Sequence, residues 1–333
     1  MSFRIVNTPP ISFEKPMFLV RLRAHMQVMR VDHSIKNIFV IPGIVVALSA
    51  QRPPLLSRPL VFNILIGFLA TTFIACSNYV LNEVLDAPFD KLHPTKRIRP
   101  AAQGLVCVPI AYAQWLFMMA VGIALALTIS RPFAYTAGTL WIMGCLYNIP
   151  PLRLKDKVYL DVLSESVNNP LRMLLGWFMV TSVLIPPTSL LICYWMAGCY
   201  LMALKRFSEY REIDNAQVAG AYRKSFQHYT EVSLLTSVTF YASTAMLFFG
   251  AFIMRYRIEL ILVFPLVALL MSTYFRLAFQ PNSAAQNPEK LYREPLLMTE
   301  AVIISLSMVV LLYIDIPFIG RVFSPTLPSA LGR

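Results

Sequence analysis

The chain has 333 residues, of which 57% are hydrophobic and only 14% charged, with a mean hydropathy of +0.61. That balance excludes an ordinary soluble domain, whereas one helical bundle in lipid, using about 20 residues per crossing, can absorb most of the length as a single domain. A formal charge of +12 would raise the question of nucleic acid in a soluble chain, but here the basic residues gather between apolar runs, which points to a membrane and to no nucleic-acid partner.

Residues 1–36 mix charges with short apolar pieces such as Ile11 to Phe13 and never build the apolar stretch of a secretory signal, so a cytoplasmic, partly interfacial segment is expected there. Its Arg21, Arg23 and Arg30 would rest on anionic headgroups, worth about 1 kcal/mol each near the surface. Apolar runs then follow at 37–51, 60–81, 105–129, 133–150, 158–182, 185–204, 232–254, 258–275 and 298–318. The expected fold is all-α, a polytopic bundle of about nine transmembrane helices over 37–318, followed by a short extracytoplasmic tail at 319–333.

Lys and Arg concentrate in the N-terminal segment and in every second connection. The other side holds only Arg52, Arg58, Arg131, Arg255, Arg257, Arg321 and Arg333, and Arg172 alone lies within a run. The positive-inside rule therefore places the N-terminus in the cytoplasm. The five cysteines fall in or at the edges of apolar runs without paired spacing, and the four histidines are scattered, so neither disulfides nor a zinc site is expected.

The richest polar stretch follows the second run and contains Asn82, Glu83, Asp86, Asp90, Lys91, His93, Lys96, Arg97 and Arg99. Asn82, Asp86 and Asp90 recur every four residues, so on a continuing helix they stack on one face, about 6 Å apart. Carboxylates at that spacing repel unless a cation lies between them, and oxygen-only ligands select Mg²⁺. Magnesium fills its shell with phosphate oxygens, and the downstream basic cluster offers the charge a diphosphate requires. Pro88 removes one helical hydrogen bond, which would set Asp90 beyond a kink. A solvated, charged helix end is the bland alternative.

Two further clusters lie at connections on the same side. After the fourth run, Tyr147-Asn-Ile-Pro-Pro151-Leu-Arg153-Leu-Lys155-Asp156-Lys157 ends a helix at its double proline and presents cations. The fifth run opens with Asp161, Glu165, Asn168, Asn169 and Arg172 on one stripe, expected to line an active-site chamber; a structural Glu165–Arg172 network is the competing reading. After the sixth run come Lys205, Arg206, Glu209, Tyr210, Arg211, Glu212 and Asp214, then Arg223, Lys224, Ser225, His228 and Tyr229. The four-run interval between the first and last clusters suggests two helix quartets whose loops meet around one cavity.

Nine predicted helices, with Asn-x3-Asp-x3-Asp after the second and Tyr-x2-Pro-Pro-x-Arg-x-Lys after the fourth, resemble the UbiA superfamily of intramembrane prenyltransferases over nearly the whole chain. That superfamily carries a second Asp-x3-Asp motif after the sixth helix, and the two motifs hold Mg²⁺ on a prenyl diphosphate. Here the second motif is replaced by Lys205-Arg206-Phe-Ser-Glu209, and Glu83 stands where Asp is usual. Both departures are similar to the decaprenyl-phosphate phosphoribosyltransferase branch, as are His93-Pro-Thr-Lys96-Arg97, Arg223-Lys224-Ser225 with Tyr229-Thr230, and His33-Ser-Ile-Lys36-Asn37.

The resemblance implies a Mg²⁺-dependent enzyme of the bacterial inner membrane, active in cell-envelope biosynthesis. It would transfer a phosphoribosyl group from phosphoribosyl pyrophosphate to a polyprenyl phosphate, and a homo-oligomer is compatible with it. Metal ligands would be Asn82, Asp86 and Asp90. Asp86, Asp90, Lys96, Arg97 and Lys205 would serve catalysis. Substrate binding would fall to Lys36, Asn37, Glu83, His93, Arg99, Tyr147, Arg153, Lys155, Asp161, Glu165, Arg172, Arg206, Glu209, Arg223 and Lys224. A prenyltransferase joining a prenyl diphosphate to an aromatic or other acceptor is the first alternative. A transporter or scaffold, with no Mg²⁺ dependence and no covalent product, is the second.

Overall fold

The computed structural model describes residues 17–51, 57–91, 96–213, 220, 223–286 and 288–324. Among the described residues the regular secondary structure is all helix, with no strand. A short helix α1 (Met17–Gln27) precedes a 3-10 segment at Val31–Val40 and α2 (Ile41–Ala50). Then come α3 (Arg58–Asp90), α4 (Val108–Ile129), α5 (Arg131–Asn148), α6 (Leu160–Ser166), α7 (Asn168–Val180) and α8 (Thr188–Glu212). The chain continues through α9 (Glu231–Tyr256), α10 (Phe264–Ala278), α11 (Pro295–Tyr313) and α12 (Pro317–Val322).

All nine predicted apolar runs are helical, but among the described residues seven stretches are long and apolar enough to cross a membrane. The two others are α5, whose polar ends Arg131-Pro132 and Tyr147-Asn148 lower its hydropathy, and the fifth run, which breaks at Val167 into α6 and α7. Pro170 fits the break, because a residue without an N–H costs least in the first turn of a new helix. Of the predicted tail, residues 325–333 lie outside the described residues; α12 straddles its expected start.

Apolar packing is divided. Val40, Ile74, Phe133, Leu140, Leu175 and Met179 join α2, α3, α5 and α7, whereas Tyr200, Phe207, Leu234, Tyr241 and Tyr274 join α8, α9 and α10. The α2–α7 crossing depends on glycine at both faces: a Cβ on Gly43 would run into the Met173 carbonyl oxygen, and one on Gly176 into that of Val40. In lipid, where apolar contact alone gives little preference for another helix, such backbone approach supplies the van der Waals attraction.

The N-terminal segment does more than lie beside the bundle. Ala24 and Val28 bury against Cys76, Val80, Ala111 and Met118. His25 Nε2 accepts from the Cys107 N–H at 3.2 Å, so its proton sits on Nδ1, which faces Gln114 Oε1 at 3.2 Å. Another face of α1 leaves Phe18, Leu22 and Met26 exposed, an apolar face suited to an interface.

Candidate active site

The α3 helix spans 33 residues, about 50 Å at 1.5 Å per residue, so it outruns a hydrocarbon core of about 30 Å and carries its last turns into a polar zone. It runs through Pro88 to Asp90, and the three predicted ligands divide among different partners. Asn82 and Asp86 share Lys155, whose Nζ donates to Asn82 Oδ1 (3.0 Å), Asp86 Oδ1 (2.5 Å) and Asn148 Oδ1 (2.8 Å). Arg153 Nη2 donates to the same Asp86 oxygen at 2.9 Å. Asp90 instead accepts from Arg99 Nη1 at 2.7 Å. Among the described residues no trio of His, Cys, Asp or Glu is grouped to hold a metal ion.

Arg153 and Lys155 reach one carboxylate because of their turn. Arg153 has φ 31° and ψ 61°, left-handed values that a non-glycine residue adopts only when its surroundings demand it. The 3-10 turn Leu154–Asp156 then returns Lys155 to the same side, and Asp156 accepts from Arg153 Nε at 3.0 Å. Asp156 also lies 3.5 Å from Lys224 Nζ, and the ring of Phe89 carries the Arg153 guanidinium at 4.8 Å and the Lys224 ammonium at 5.5 Å. The second and third connections are thereby joined at the end of α3.

On α8, Arg206 is 1% exposed and enclosed by carboxylates: Asp161 (3.3 Å), Glu165 (2.8 Å) and Glu209 (3.1 Å). Glu165 also accepts from the Tyr147 hydroxyl at 2.9 Å, so it pairs with Arg206 and Tyr147, and the Glu165–Arg172 network is not formed. Asp161, fully buried, accepts from the Ser225 and Tyr229 hydroxyls at 3.1 and 2.8 Å, and Tyr229 in turn accepts from the Tyr159 N–H. In the Arg-Lys-Ser stretch, then, Ser225 and Tyr229 anchor the segment while Arg223 and Lys224 project from it. Arg223 stays 3.9 Å from Asp161, and Lys205 is 3.9 Å from Glu209, both looser than the Arg206 contacts.

Lys96 ties the clusters together. Burial pushes its ammonium down to about 8, assisted by repulsion from Arg223 and Arg99 and opposed by Glu209 and Asp90. Those neighbours come from both clusters, so the first and third connections share one electrostatic field, as the four-run interval suggested. Burial likewise pushes Lys155 down to about 8, against the pull of Asp86.

The remaining predicted residues scatter. Lys36 is half-buried within the field of Glu165, while Asn37 is buried and donates to the Thr72 hydroxyl at 3.0 Å. Glu83 is buried and accepts from the Ala101 N–H at 3.5 Å. Arg97 is exposed and has no ion pair with a described residue; His93 lies outside the described residues. Arg172 is buried with its Nε unpaired among the described residues. Sequence reasoning gave Asn148, Asp156 and Phe89 no role in the site, and assigned Arg30 to headgroups although it shares its field with Arg99 and Glu83. For Asn148 a faint signal existed, a polar residue closing an apolar helix beside Tyr147.

Arg153 and Lys155 thus meet Asp86, Arg99 meets Asp90, Lys224 lies beside Asp156, Lys205 beside Glu209 and Arg223 beside Asp161, with Lys96 in the fields of both Asp90 and Glu209. Such an arrangement can bind and orient polyanions and stabilise charge on a departing diphosphate.

The profile of the UbiA prenyltransferase family matches residues 38–298. The chain is 24% identical over 254 residues to the decaprenyl-phosphate phosphoribosyltransferase of Mycobacterium tuberculosis, covering 75% of this chain and 78% of that one. With the enzyme of the same name from Corynebacterium glutamicum it shares 29% over 101 residues, 30% of each chain. Alignments to the first three curated relatives span 21, 30 and 54% of their lengths. The fold matches a UbiA homologue from Archaeoglobus fulgidus, solved bound to GPP and Mg²⁺, with a TM-score of 0.62 at 18% identity, covering 89% of this chain and 99% of that one.

Proposed function

Since the chain belongs to the UbiA prenyltransferase family and is an integral multi-pass membrane protein, we propose that it transfers a 5-phosphoribosyl group from phosphoribosyl pyrophosphate to a polyprenyl phosphate, releasing pyrophosphate. The observation that carries this reading is the exchange of acids for cations: where two aspartates would complete a prenyl-diphosphate site, the Lys205–Glu209 stretch has Lys205 and Arg206 with the single acid Glu209, and while Arg206 is neutralised, Lys205 and Arg223 lie only 3.9 Å from Glu209 and Asp161. A donor diphosphate plus a lipid phosphate brings more negative charge than a prenyl diphosphate with a neutral acceptor. Similarity to the two decaprenyl-phosphate phosphoribosyltransferases supports the same choice.

In the proposed reaction a phosphate oxygen of the lipid attacks ribose C1 while the C1–O bond to pyrophosphate breaks and its electron pair leaves with pyrophosphate. No strong base is required, because the lipid phosphate is already ionised at neutral pH; catalysis is positioning and charge stabilisation. Lys96 and Arg99 face the leaving pyrophosphate, and Lys205, Arg223 and Lys224 hold the ribose 5-phosphate or the lipid phosphate. Arg206, committed to three carboxylates, shapes the site instead of gripping substrate.

The oxygen-only donors Asn82 and Asp86, converging on one ammonium, fit Mg²⁺, which takes one or two carboxylates and fills its shell with phosphate oxygens. Asn82 and Asp86 would hold it, with Asp90 joining only on release from Arg99. When bound, Mg²⁺ neutralises diphosphate charge and favours its departure. The loops, with the N-terminus, face the cytoplasm by the positive-inside rule.

The test uses purified protein in nanodiscs with Mg²⁺, polyprenyl phosphate and labelled phosphoribosyl pyrophosphate. Label should enter the lipid phase, vanish with EDTA, and fall about 10²-fold or more in Asp86→Asn. Full activity in that variant overturns the assignment of Asp86. The second reading, a prenyltransferase with a neutral acceptor, is favoured by the fold neighbour bound to GPP. It would be supported by transfer from a prenyl diphosphate to an aromatic acid with no label from phosphoribosyl pyrophosphate.

A further inference from the structure

Lys155 spends all three of its donors within the protein. An ammonium has three N–H groups, and each meets a carbonyl or carboxylate oxygen: Asn82 Oδ1, Asp86 Oδ1 and Asn148 Oδ1, at 2.5 to 3.0 Å. The third acceptor is itself aimed, because Asn148 Nδ2 donates to the Gly144 carbonyl at 2.8 Å and turns Oδ1 toward Lys155. The side chain is 8% exposed, so water screens this charge weakly. Asp86 Oδ1 also accepts from Arg153, so two positive charges already compensate one carboxylate oxygen.

From this geometry we infer that Lys155 competes with the divalent cation for Asn82 and Asp86, so the metal is taken up together with the donor diphosphate and not ahead of it. The inference rests on the diphosphate-binding part of the proposed function and is independent of which acceptor is used. A bare divalent ion approaching Asp86 meets the like charges of Lys155 and Arg153 and must displace an ammonium whose three donors are satisfied. A diphosphate changes that balance, since its oxygens are better acceptors for Lys155 and Arg153 than one shared carboxylate oxygen. Drawing the two side chains onto the phosphates uncovers Asn82 and Asp86 at the moment when phosphate oxygens become available to complete a metal shell. Linkage then requires metal and diphosphate to tighten one another by the same factor.

The experiment is equilibrium binding of Mn²⁺, a paramagnetic stand-in, to the full-length protein in detergent. Free Mn²⁺ is followed by electron paramagnetic resonance, with and without inorganic pyrophosphate and against a protein-free blank. Wild type should bind Mn²⁺ weakly alone and about 5- to 150-fold more tightly with pyrophosphate. Lys155→Met should bind Mn²⁺ alone more tightly than wild type and lose most of the pyrophosphate enhancement. Asn148→Leu, which removes the third acceptor but leaves the lysine, should move in the same direction by a smaller factor. Equal Mn²⁺ affinity in wild type with and without pyrophosphate overturns the inference without any variant, as does Lys155→Met binding Mn²⁺ no more tightly than wild type. Failure of label transfer from phosphoribosyl pyrophosphate, with the Mn²⁺ pattern intact, would instead count against the proposed donor alone.

Discussion

Arg206 and Lys205 are neighbours in sequence with opposite commitments. The Arg206 guanidinium is buried among Asp161, Glu165 and Glu209, whereas Lys205 reaches Glu209 only at 3.9 Å. Removing one partner of a buried ionic network leaves uncompensated charge, so Arg206→Ala should destabilise the protein by about 3–5 kcal/mol, read as a lower thermal midpoint in detergent. Lys205→Ala should keep the wild-type midpoint and raise KM for a phosphorylated substrate. Lys96 makes a pH prediction. Its ammonium, pushed down to about 8, is charged below that value and neutral above it, so anion binding weakens as pH rises through about 8. Because kcat/KM reports the free enzyme, it should fall there in Lys96-containing enzyme, and Lys96→Arg, charged across the range, should flatten the fall. An unchanged profile in Lys96→Arg would remove Lys96 from donor binding.

At the scale of elements, two crossings are vulnerable for different reasons. Where α2 meets α7, Gly176→Ala would force a Cβ into the Val40 carbonyl, backbone against backbone, with no side chain able to yield. A loss of about 1–3 kcal/mol is expected, again seen in the thermal midpoint, with no selective effect on either substrate. The α6 contact with the segment after Arg223 is polar. Tyr229→Phe removes one of the hydrogen bonds to Asp161 and orphans the Tyr159 N–H, costing about 1–3 kcal/mol. Since the same segment carries Arg223 and Lys224, this variant should also raise KM for the donor ahead of any fall in kcat, a split that distinguishes it from Gly176→Ala.

For the whole molecule, the proposed topology puts the loops that share the Lys96 field on one side of the membrane and the α4–α5 junction on the other. Single cysteines at His228 and Arg131, both exposed, should therefore react with an impermeant maleimide from opposite faces of oriented vesicles. Labelling from the same face would overturn the alternating topology. The mean hydropathy, the apolar runs and the alternation of basic residues were legible in sequence because each is a local sum over neighbouring residues. The break of the fifth run at Val167 was less so, since its polar stripe and Pro170 mattered more than its average hydropathy.

The sequence by itself determined that this chain lives in lipid as helices, that its polar chemistry sits at one set of loop ends, and that Asn82, Asp86 and Asp90 recur at helical spacing. Only tertiary structure decided what each charge is used for. Asp90 went to Arg99, Asn82 and Asp86 to Lys155, and Arg206 to three carboxylates from α6 and α8. The reason is physical: hydropathy and periodicity are properties of adjacent residues. Whether a charge is neutralised within the chain or left for a ligand depends also on distant groups, such as Asp161 for Arg206, 45 positions away, and Lys155 for Asn82, 73 positions away, brought within 3.3 Å by packing.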